Sequence, residues 1–385
     1  MARLSPGIQD RDVLVIRMNH RDAGFFAQVQ FAINQIRYAE ARRLIPVVHY
    51  GADSIDGTNP YYEEAAGPNV WEYYFEPVAG LTLDDARALA ARAGRRILTL
   101  SHWELWRLHH WEPTSVFTYP YGYFRVVDDK TTHLDARWWA AQRAEGRRLV
   151  GRYVRVRAEI RERVERYVAE HWRTPMLGVH LRGTDKDDVG AGPRLSRIVP
   201  PAEYFPLIDD HLDRHRDAGI FVATDQSQFR DEIVRRYGDR VVWCAEMLSA
   251  SEANVFKTGP AGGRGNRAKG EEVLVDALLL ARCDRLLKCT SAVGEFAQYF
   301  SRTLTSADVT DLNLAGLGAR PRIAARTALR RRARRAELAA RRVAWHAGGL
   351  AVEEADRPHD PGSRFPVCLP AWAHGHYPAP GTVRA

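Results

Sequence analysis

Between residues 176 and 300, short apolar runs alternate with helical stretches, and this alternation constrains the fold more than any other feature of the sequence. The runs are short and rich in β-branched residues, as buried strands are, while the stretches between them show apolar residues at helical spacing. Predicted strands cover 176–181, 220–224, 241–245 and 285–289, and predicted helices cover 201–215, 226–237, 271–283 and 292–300. This order predicts a doubly wound α/β domain with a parallel sheet.

A second α/β series precedes this one. Its predicted elements are a strand over 12–18, a helix over 25–44, a strand over 47–50, a helix over 83–93 and a long polar connecting helix over about 136–172. We therefore expect two facing Rossmann-like domains, 1–172 and 173–318, followed by a basic helix and an extended tail rich in Pro, Gly and His in 319–385. Open α/β sheets bind ligands at the carboxyl ends of their strands, so we expect the functional site in the cleft between the domains.

The length and composition agree with this organisation. A chain of 385 residues suits two domains better than one core. The N-terminus lacks the apolar core of a signal peptide, and the longest apolar stretch, 273–281, is too short for a membrane span. Four scattered cysteines without metal-ligand spacing favour free thiols in a reducing, cytoplasmic setting. Much of the net charge of +8 lies in 320–342, so charge says little about the rest of the chain.

The segment 178–186 carries the clearest chemical signal. Arg182 directly follows a predicted strand, which places a guanidinium at the carboxyl edge of the sheet, where it can hold two phosphate oxygens at once. A fixed cation there would stabilise the charge that develops on a nucleoside diphosphate leaving group. The segment is equally compatible with a surface loop that contains a structural Arg–Asp pair.

Other polar residues stand at comparable positions. Asp225 follows the strand 220–224, while Thr290 and Ser291 follow the strand 285–289 and begin a helix. Hydroxyls and free N–H groups at a helix start can bind an anion, but they can also form an ordinary helix cap. Asp276 lies in an apolar helix, where a carboxylate requires a partner. That partner is either a nucleobase with N–H donors or a structural arginine.

Taken together, these segments resemble the donor-binding domain of the α1,6-fucosyltransferases, the family of the enzymes that fucosylate the N-glycan core and of the rhizobial nodulation fucosyltransferases. Protein O-fucosyltransferases are more distant relatives. The matching segments occur in the same order and are 178–186, 222–225, 275–276 and 289–291. The resemblance covers roughly a third of the chain well, with weaker agreement over 24–28.

The resemblance implies the GT-B arrangement of two Rossmann-like domains, GDP-fucose as the donor, inverting transfer and no required metal or other cofactor. Arg182 would bind the β-phosphate, and His180 and Asp276 would contact guanine. The other implied donor-site residues are Thr290 and Ser291 at the phosphates, Gly24, Phe26 and Ala27 with their backbone over the diphosphate, Asp225 as a support of the pocket, and Asp185 and Lys186 beside the donor sugar.

The sequence departs from the family pattern at two positions. Gly183 stands where the family often has a second arginine, and Gly190 stands where it has an acidic residue. Inverting transfer needs a carboxylate within reach of the acceptor hydroxyl, and Asp187 and Asp188 are the candidates for this general base. The spacing of Asp185 and Asp187 also fits the loose Asp-x-Asp pattern of metal-dependent transferases, but we expect no metal because Arg182 already supplies positive charge.

Several alternatives remain open. The acceptor is a glycan or a small metabolite, and the enzyme could instead transfer a different nucleotide sugar to a natural product. The aromatic stretch 103–139 could stack on an acceptor or simply pack in the first domain. The arginine-rich segment 320–346 could bind nucleic acid or an acidic surface, although a solvated C-terminal helix is the ordinary interpretation. The sequence does not indicate the oligomeric state.

Overall fold

The structure is a computed structural model. It describes residues 10–17, 24–54, 57–101, 136–183, 198–245, 248, 265–289, 291–309, 354–358 and 366–368. The chain divides into two compact units, one of residues 1–23, 28–124 and 330–385 and the other of residues 24–27 and 125–329.

The first unit contains a five-stranded sheet in which β1 pairs in parallel with a strand on each side. Its strands are β1 (Val13–Arg17), β2 (Ile45–Val48), β5 (Ile97–Ser101), β11 (Glu354–Pro358) and β12 (Pro366–Cys368), in the order β11-β12-β5-β1-β2. Its helices are α1 (Phe25–Ala41), α2 (Val70–Tyr74) and α3 (Leu83–Ala93), and two short strands, β3 (Asp53–Ser54) and β4 (Gly57–Thr58), pair separately.

Helix α3 shows how local sequence sets an element in this unit. The Thr82 side chain accepts a hydrogen bond from the Asp85 N–H, and the Asp85 side chain accepts one from the Thr82 N–H. The helix ends where Gly94 adopts the left-handed conformation, with φ of 61°. The predicted bounds of this helix, 83–93, are confirmed. Its buried face packs on β1 and β2 through Leu83, Ala86 and other apolar residues.

The second unit contains a five-stranded, fully parallel sheet in the order β10-β9-β6-β7-β8. Its strands are β6 (Met176–Leu181), β7 (Gly219–Thr224), β8 (Val241–Val242), β9 (Arg285–Lys288) and β10 (Thr305–Asp308). Its helices are α4 (Ala136–Tyr153), α5 (Ala158–His171), α6 (Phe205–Arg214), α7 (Ser227–Tyr237), α8 (Asn266–Leu280) and α9 (Ala292–Phe300). The predicted α/β class with two Rossmann-like units is confirmed.

Strands β6 and β7 form the centre of this unit. Every residue of both strands is buried. Leu177 and Val179 belong to the apolar cluster formed with α6 and α7, while Gly178 faces α8. A Cβ atom on Gly178 would lie 3.1 Å from Leu280 Cδ2, so the glycine allows α8 to approach the strand closely.

The structure differs from the sequence prediction over 136–172. Two helices occupy this range instead of one, because the chain leaves the helical conformation after Tyr153. Val154 and Val156 are buried while Arg155 between them is exposed, an alternation that an extended segment satisfies and a helix does not. Both helices belong to the second unit.

A further difference concerns a predicted loop. Helix α8 begins at Asn266, so the end of the Gly-rich stretch predicted as a surface loop over 257–270 is helical. Lys269 and Gly270 are buried, so tertiary packing stabilises the helical conformation there despite the glycine. In the tail predicted as extended, β12 pairs in parallel with β5 and β11 adds antiparallel to β12. The predicted basic helix over 320–346 lies outside the described residues.

Candidate functional site at the strand ends

The predicted site residues of the second unit lie at one edge of its sheet. Strands β9, β6 and β7 are parallel neighbours, so their carboxyl ends lie side by side. In the hydrogen-bonded register, His180 stands opposite Ala223 on β7 and Lys288 on β9. The residues that follow these strands are therefore brought together at the same edge.

His180 and Arg182 occupy the end of β6. The His180 side chain is buried, and its carbonyl oxygen accepts a 3.0 Å hydrogen bond from the Tyr204 hydroxyl. Burial raises the pKa of Tyr204 well above its usual value, so this hydroxyl remains a donor. Arg182, one residue past the strand, is half-buried.

The turn after Arg182 is fastened to the end of β7. The Gly183 N–H donates a 2.8 Å hydrogen bond to Asp225 Oδ1, and Gln226 Nε2 donates a 2.8 Å bond to the Gly183 carbonyl oxygen. Asp225 and Gln226 are both buried. We call these three residues the β6–β7 latch. Asp225 thus contacts the backbone beside Arg182, while sequence reasoning missed Gln226.

The latch also explains the departure at Gly183. A Cβ atom there would lie 2.2 Å from Gln226 Cδ and 2.6 Å from Gln226 Cγ. Gln226 is held in place because its Oε1 accepts a 2.9 Å hydrogen bond from Gln228 Nε2. The space that a second arginine side chain would need is therefore filled by Gln226.

Helix α9 begins beside this edge. The Ser291 side chain accepts a hydrogen bond from the Val293 N–H at 3.4 Å and is the N-cap of the helix. Cys289, immediately after β9, is 2% exposed and is therefore a small buried residue. The cap leaves the other N–H groups of the first helical turn as potential anion donors.

Asp276 lies on the buried side of α8 in unusual surroundings. Asp276 is 8% exposed, and among the described residues its Oδ1 atom has no hydrogen-bond partner. Burial, reinforced by the nearby carboxyl of Glu272, raises the pKa of Asp276 well above its usual value, and the Arg163 guanidinium only partly opposes this. Arg163 is itself paired with Glu271 at 2.9 Å.

A thiol lies close to the same carboxyl group. Burial, followed by the influence of Asp276, raises the pKa of Cys244 to about 11, so the thiol stays protonated near neutral pH. Cys244 is one of the free cysteines of the chain. A raised pKa disfavours the thiolate form that a nucleophilic cysteine requires.

A buried ionic cluster at the same sheet edge was missed from the sequence. It consists of Lys288, Glu295, Asp308 and Arg143. The available signal was a charged residue at the end of each of two otherwise apolar segments, Leu-Leu-Lys in β9 and the first turn of α9.

The remaining predicted residues fall into two groups. Phe26 is buried and stacks on Phe296 with ring centroids 4.4 Å apart, so its side chain is part of an aromatic core, and Gly24 has open space where a Cβ atom would stand. Ala27 lies in the first turn of α1, where its N–H bonds the Gly24 carbonyl oxygen. Five predicted residues lie outside the described residues: Asp185, Lys186, Asp187, Asp188 and Thr290.

The described residues contain no group of three or more His, Cys, Asp or Glu side chains arranged to hold a metal ion. No helix in the described part of the chain is long and apolar enough to cross a membrane. The aromatic stretch 103–139 falls almost entirely outside the described residues.

No protein-family model matches the chain, and no curated protein sequence matches it. Among solved structures, NodZ α-1,6-fucosyltransferase soaked with GDP-fucose is 18% identical with a TM-score of 0.42, over 76% of this chain and 93% of that one. Fucosyltransferase NodZ from Bradyrhizobium is 18% identical with a TM-score of 0.43, over 76% and 94%. POFUT1 in complex with GDP-fucose is 10% identical with a TM-score of 0.44, over 77% and 97%. At these values the similarity does not by itself assign an activity to the chain.

Proposed function

We propose that this chain is an inverting glycosyltransferase that uses a GDP-sugar, GDP-fucose in particular, and transfers the sugar to a hydroxyl acceptor. The observation that carries the proposal is the buried Asp276 carboxyl group, whose Oδ1 lacks a hydrogen-bond partner among the described residues. A buried acceptor of this kind is costly unless a ligand satisfies it. Guanine offers two adjacent donors, N1–H and the exocyclic amino group, whereas uracil offers one N–H and adenine only its amino group.

The geometry of α8 supports a shared role for Asp276 and His180. Helix α8 leads into β9, which is parallel to β6, so the helix runs antiparallel to β6. Starting from the close approach of Leu280 to Gly178, Asp276 lies one turn back along the helix, about 6 Å. His180 lies two residues further along β6, about 7 Å in the same direction. Both side chains are therefore at the level of the carboxyl edge.

The diphosphate would bind at the same edge. Arg182 supplies a guanidinium that can hold two phosphate oxygens, and the first turn of α9 supplies N–H donors. As the bond to the sugar breaks, charge grows on the β-phosphate, and these fixed donors stabilise that charge more than they stabilise the bound donor. The acceptor hydroxyl would lose its proton to a carboxylate, for which Asp187 and Asp188 remain the candidates.

The test is calorimetric binding of GDP, UDP and ADP to the purified protein, followed by donor hydrolysis with GDP- and UDP-sugars. We expect GDP to bind with a Kd between about 1 μM and about 1 mM, the range usual for enzyme substrates, and to bind more tightly than the other two nucleotides. Arg182→Ala should lower sugar transfer by at least about 100-fold while the protein stays folded.

Arg173→Ala is the matched control, because Arg173 precedes the same strand at its amino end and bonds the Asp239 carbonyl oxygen there. This variant should retain transfer. Tighter binding of UDP than of GDP would show that the guanine assignment of His180 and Asp276 is wrong. Equal loss of transfer in both arginine variants would remove the special role of Arg182.

A further inference from the structure

The buried ionic cluster lies where β9, β10, α4 and α9 meet. Lys288 Nζ is 2.8 Å from Glu295 Oε1 and 3.0 Å from Asp308 Oδ2. Arg143 donates from Nε and Nη2 to the two oxygens of Glu295, at 3.2 Å and 3.0 Å. The side chains of Lys288 and Glu295 are 2% and 1% exposed, so these contacts are shielded from water.

The cluster is balanced in charge, with two cations and two carboxylates. Burial opposes the charge on Lys288, but the carboxylates of Asp308 and Glu295 outweigh it and raise the pKa of this ammonium. Burial likewise opposes the charge on Glu295, and Lys288 and Arg143 lower its pKa. Lys288, Glu295 and Arg143 therefore stay ionised near neutral pH. Since each buried charge requires its partners, the distances between them are fixed within narrow limits.

The position of the cluster connects it to the candidate site. His180, Lys288 and Asp308 stand opposite one another in the register of three adjacent parallel strands, so their side chains emerge on the same face of the sheet. Glu295 lies in the first turn of α9, the helix capped by Ser291. The ion pair between Lys288 and Glu295 thus joins the end of β9 to the start of α9.

Gly294 brings the same elements into direct contact. A Cβ atom on Gly294 would lie 2.9 Å from Lys288 Cδ and 3.4 Å from His180 Nδ1. The stem of Lys288 and the imidazole of His180 therefore pack side by side beneath the backbone of α9. A movement of Lys288 would displace the ring, the helix start, or both.

We propose that Lys288 and Glu295 are positioning residues of the donor site, which hold the His180 ring and the first turn of α9 in place for the nucleotide. The inference rests on the proposed function. Lys288 makes no phosphate contact in this role, because its ammonium is buried between two carboxylates. An apolar cluster could fill the same space, but it would not set the distance between β9 and α9 as ion pairs do.

The test is the double variant Lys288→Met/Asp308→Asn, which removes one charge of each sign and keeps the Arg143–Glu295 pair. We expect GDP affinity to fall by tenfold or more, and the KM for the donor to rise more than kcat falls. Ile233→Val is the control for stability, since Ile233 is a buried core residue of α7 in the same unit. It should lower Tm without changing GDP affinity at temperatures where the protein is folded.

Milder variants keep the test decisive if the double variant does not fold. Arg143 is 24% exposed and pairs with Glu295 at one end of the cluster. Arg143→Met should weaken GDP binding severalfold, and Arg143→Lys, which keeps the charge, should restore part of it. GDP affinity equal to that of the unsubstituted protein in Arg143→Met, or in a folded double variant, would overturn the inference alone. Failure of the unsubstituted protein to bind GDP would overturn the proposed function and the inference with it.

Discussion

Asp276 is the residue with the clearest consequence for solution behaviour. The titratable groups that face it are Glu272 on its own helix, Arg163 and Tyr167 on α5, and Cys244 after β8. Burial and Glu272 together raise its pKa, so the carboxyl group holds a proton in the free protein at pH values where an exposed aspartate has lost it. Because the folded pKa is raised, this group makes folding less favourable as the pH rises above its usual pKa of 3.8, until the folded pKa is passed.

Because the pKa of Asp276 is raised in the free protein, we predict that GDP binding releases a proton. Guanine N–H donors favour the ionised carboxylate, so the pKa of Asp276 must fall on binding and affinity must increase with pH up to the pKa of the free protein. Calorimetry in two buffers of different ionisation enthalpy measures the released proton. Asp276→Asn should abolish this release and weaken GDP binding by about tenfold, the cost of about one charge-assisted hydrogen bond.

Asp213→Asn on the exposed face of α6 is the control and should leave both the affinity and the proton release unchanged. Proton release that persists in Asp276→Asn would assign it to another group and contradict the prediction. The same experiment with IDP, which lacks the exocyclic amino group, should show weaker binding than GDP in the unsubstituted protein only.

At the scale of secondary-structure elements, the β6–β7 latch is the feature that orients the backbone beside Arg182. Two strand ends are joined by hydrogen bonds in both directions, from Gly183 to Asp225 and from Gln226 back to Gly183. Both bonding partners on the β7 side are buried, so water does not compete for them. The latch therefore sets the direction in which the chain leaves β6.

Gly183→Ala should break this latch. The added Cβ would overlap the buried Gln226 side chain, so we expect a loss of unfolding free energy of about 1–3 kcal/mol, typical of overpacking. GDP affinity should also decrease, because Arg182 directly precedes Gly183 and would be displaced with it. Chemical denaturation and calorimetry measure the two effects.

Gly151→Ala is the matched substitution, because a Cβ atom on Gly151 in α4 would meet nothing within 4 Å. It should be neutral or stabilise the protein by up to about 1 kcal/mol, as expected for alanine in a helix. Unchanged stability and affinity in Gly183→Ala would show that Gln226 moves aside at no cost.

At the scale of the whole molecule, the chain forms two α/β units, and its C-terminal tail contributes to the first of them. Strand β12 pairs with β5 although the paired residues, Val367 and Thr99, are 268 positions apart in the sequence. The tail is therefore part of the first sheet and not a detached extension.

The whole protein should be active without a divalent metal. In the proposed mechanism Arg182 and the start of α9 stabilise the charge on the leaving diphosphate, a role that Mg²⁺ or Mn²⁺ plays in metal-dependent transferases. Donor hydrolysis should therefore stay within about twofold of its untreated rate in excess EDTA. Loss of activity in EDTA that is restored by Mg²⁺ or Mn²⁺ would contradict the prediction and favour a metal site at Asp185 and Asp187.

Much of the second unit could be predicted because its signals are local. The bounds of β6 match the prediction, and those of α9 do as well, since apolar periodicity and a serine cap act within a few residues. Boundaries failed where distant packing decided them, as at Val154 and Val156, whose burial interrupts the predicted helix, and at Lys269, whose burial extends α8.

The sequence by itself determined the strand–helix order and, with it, which polar residues stand at the carboxyl ends of strands, because strand and helix periodicity are properties of neighbouring residues. Only the tertiary structure decided what those residues meet. Arg143 and Glu295 are 152 positions apart, and nothing local to either one indicates that they pair. Lys288 is paired with buried carboxylates, whereas Asp276 Oδ1 has no partner among the described residues. This difference depends on groups that only the folded chain brings within reach.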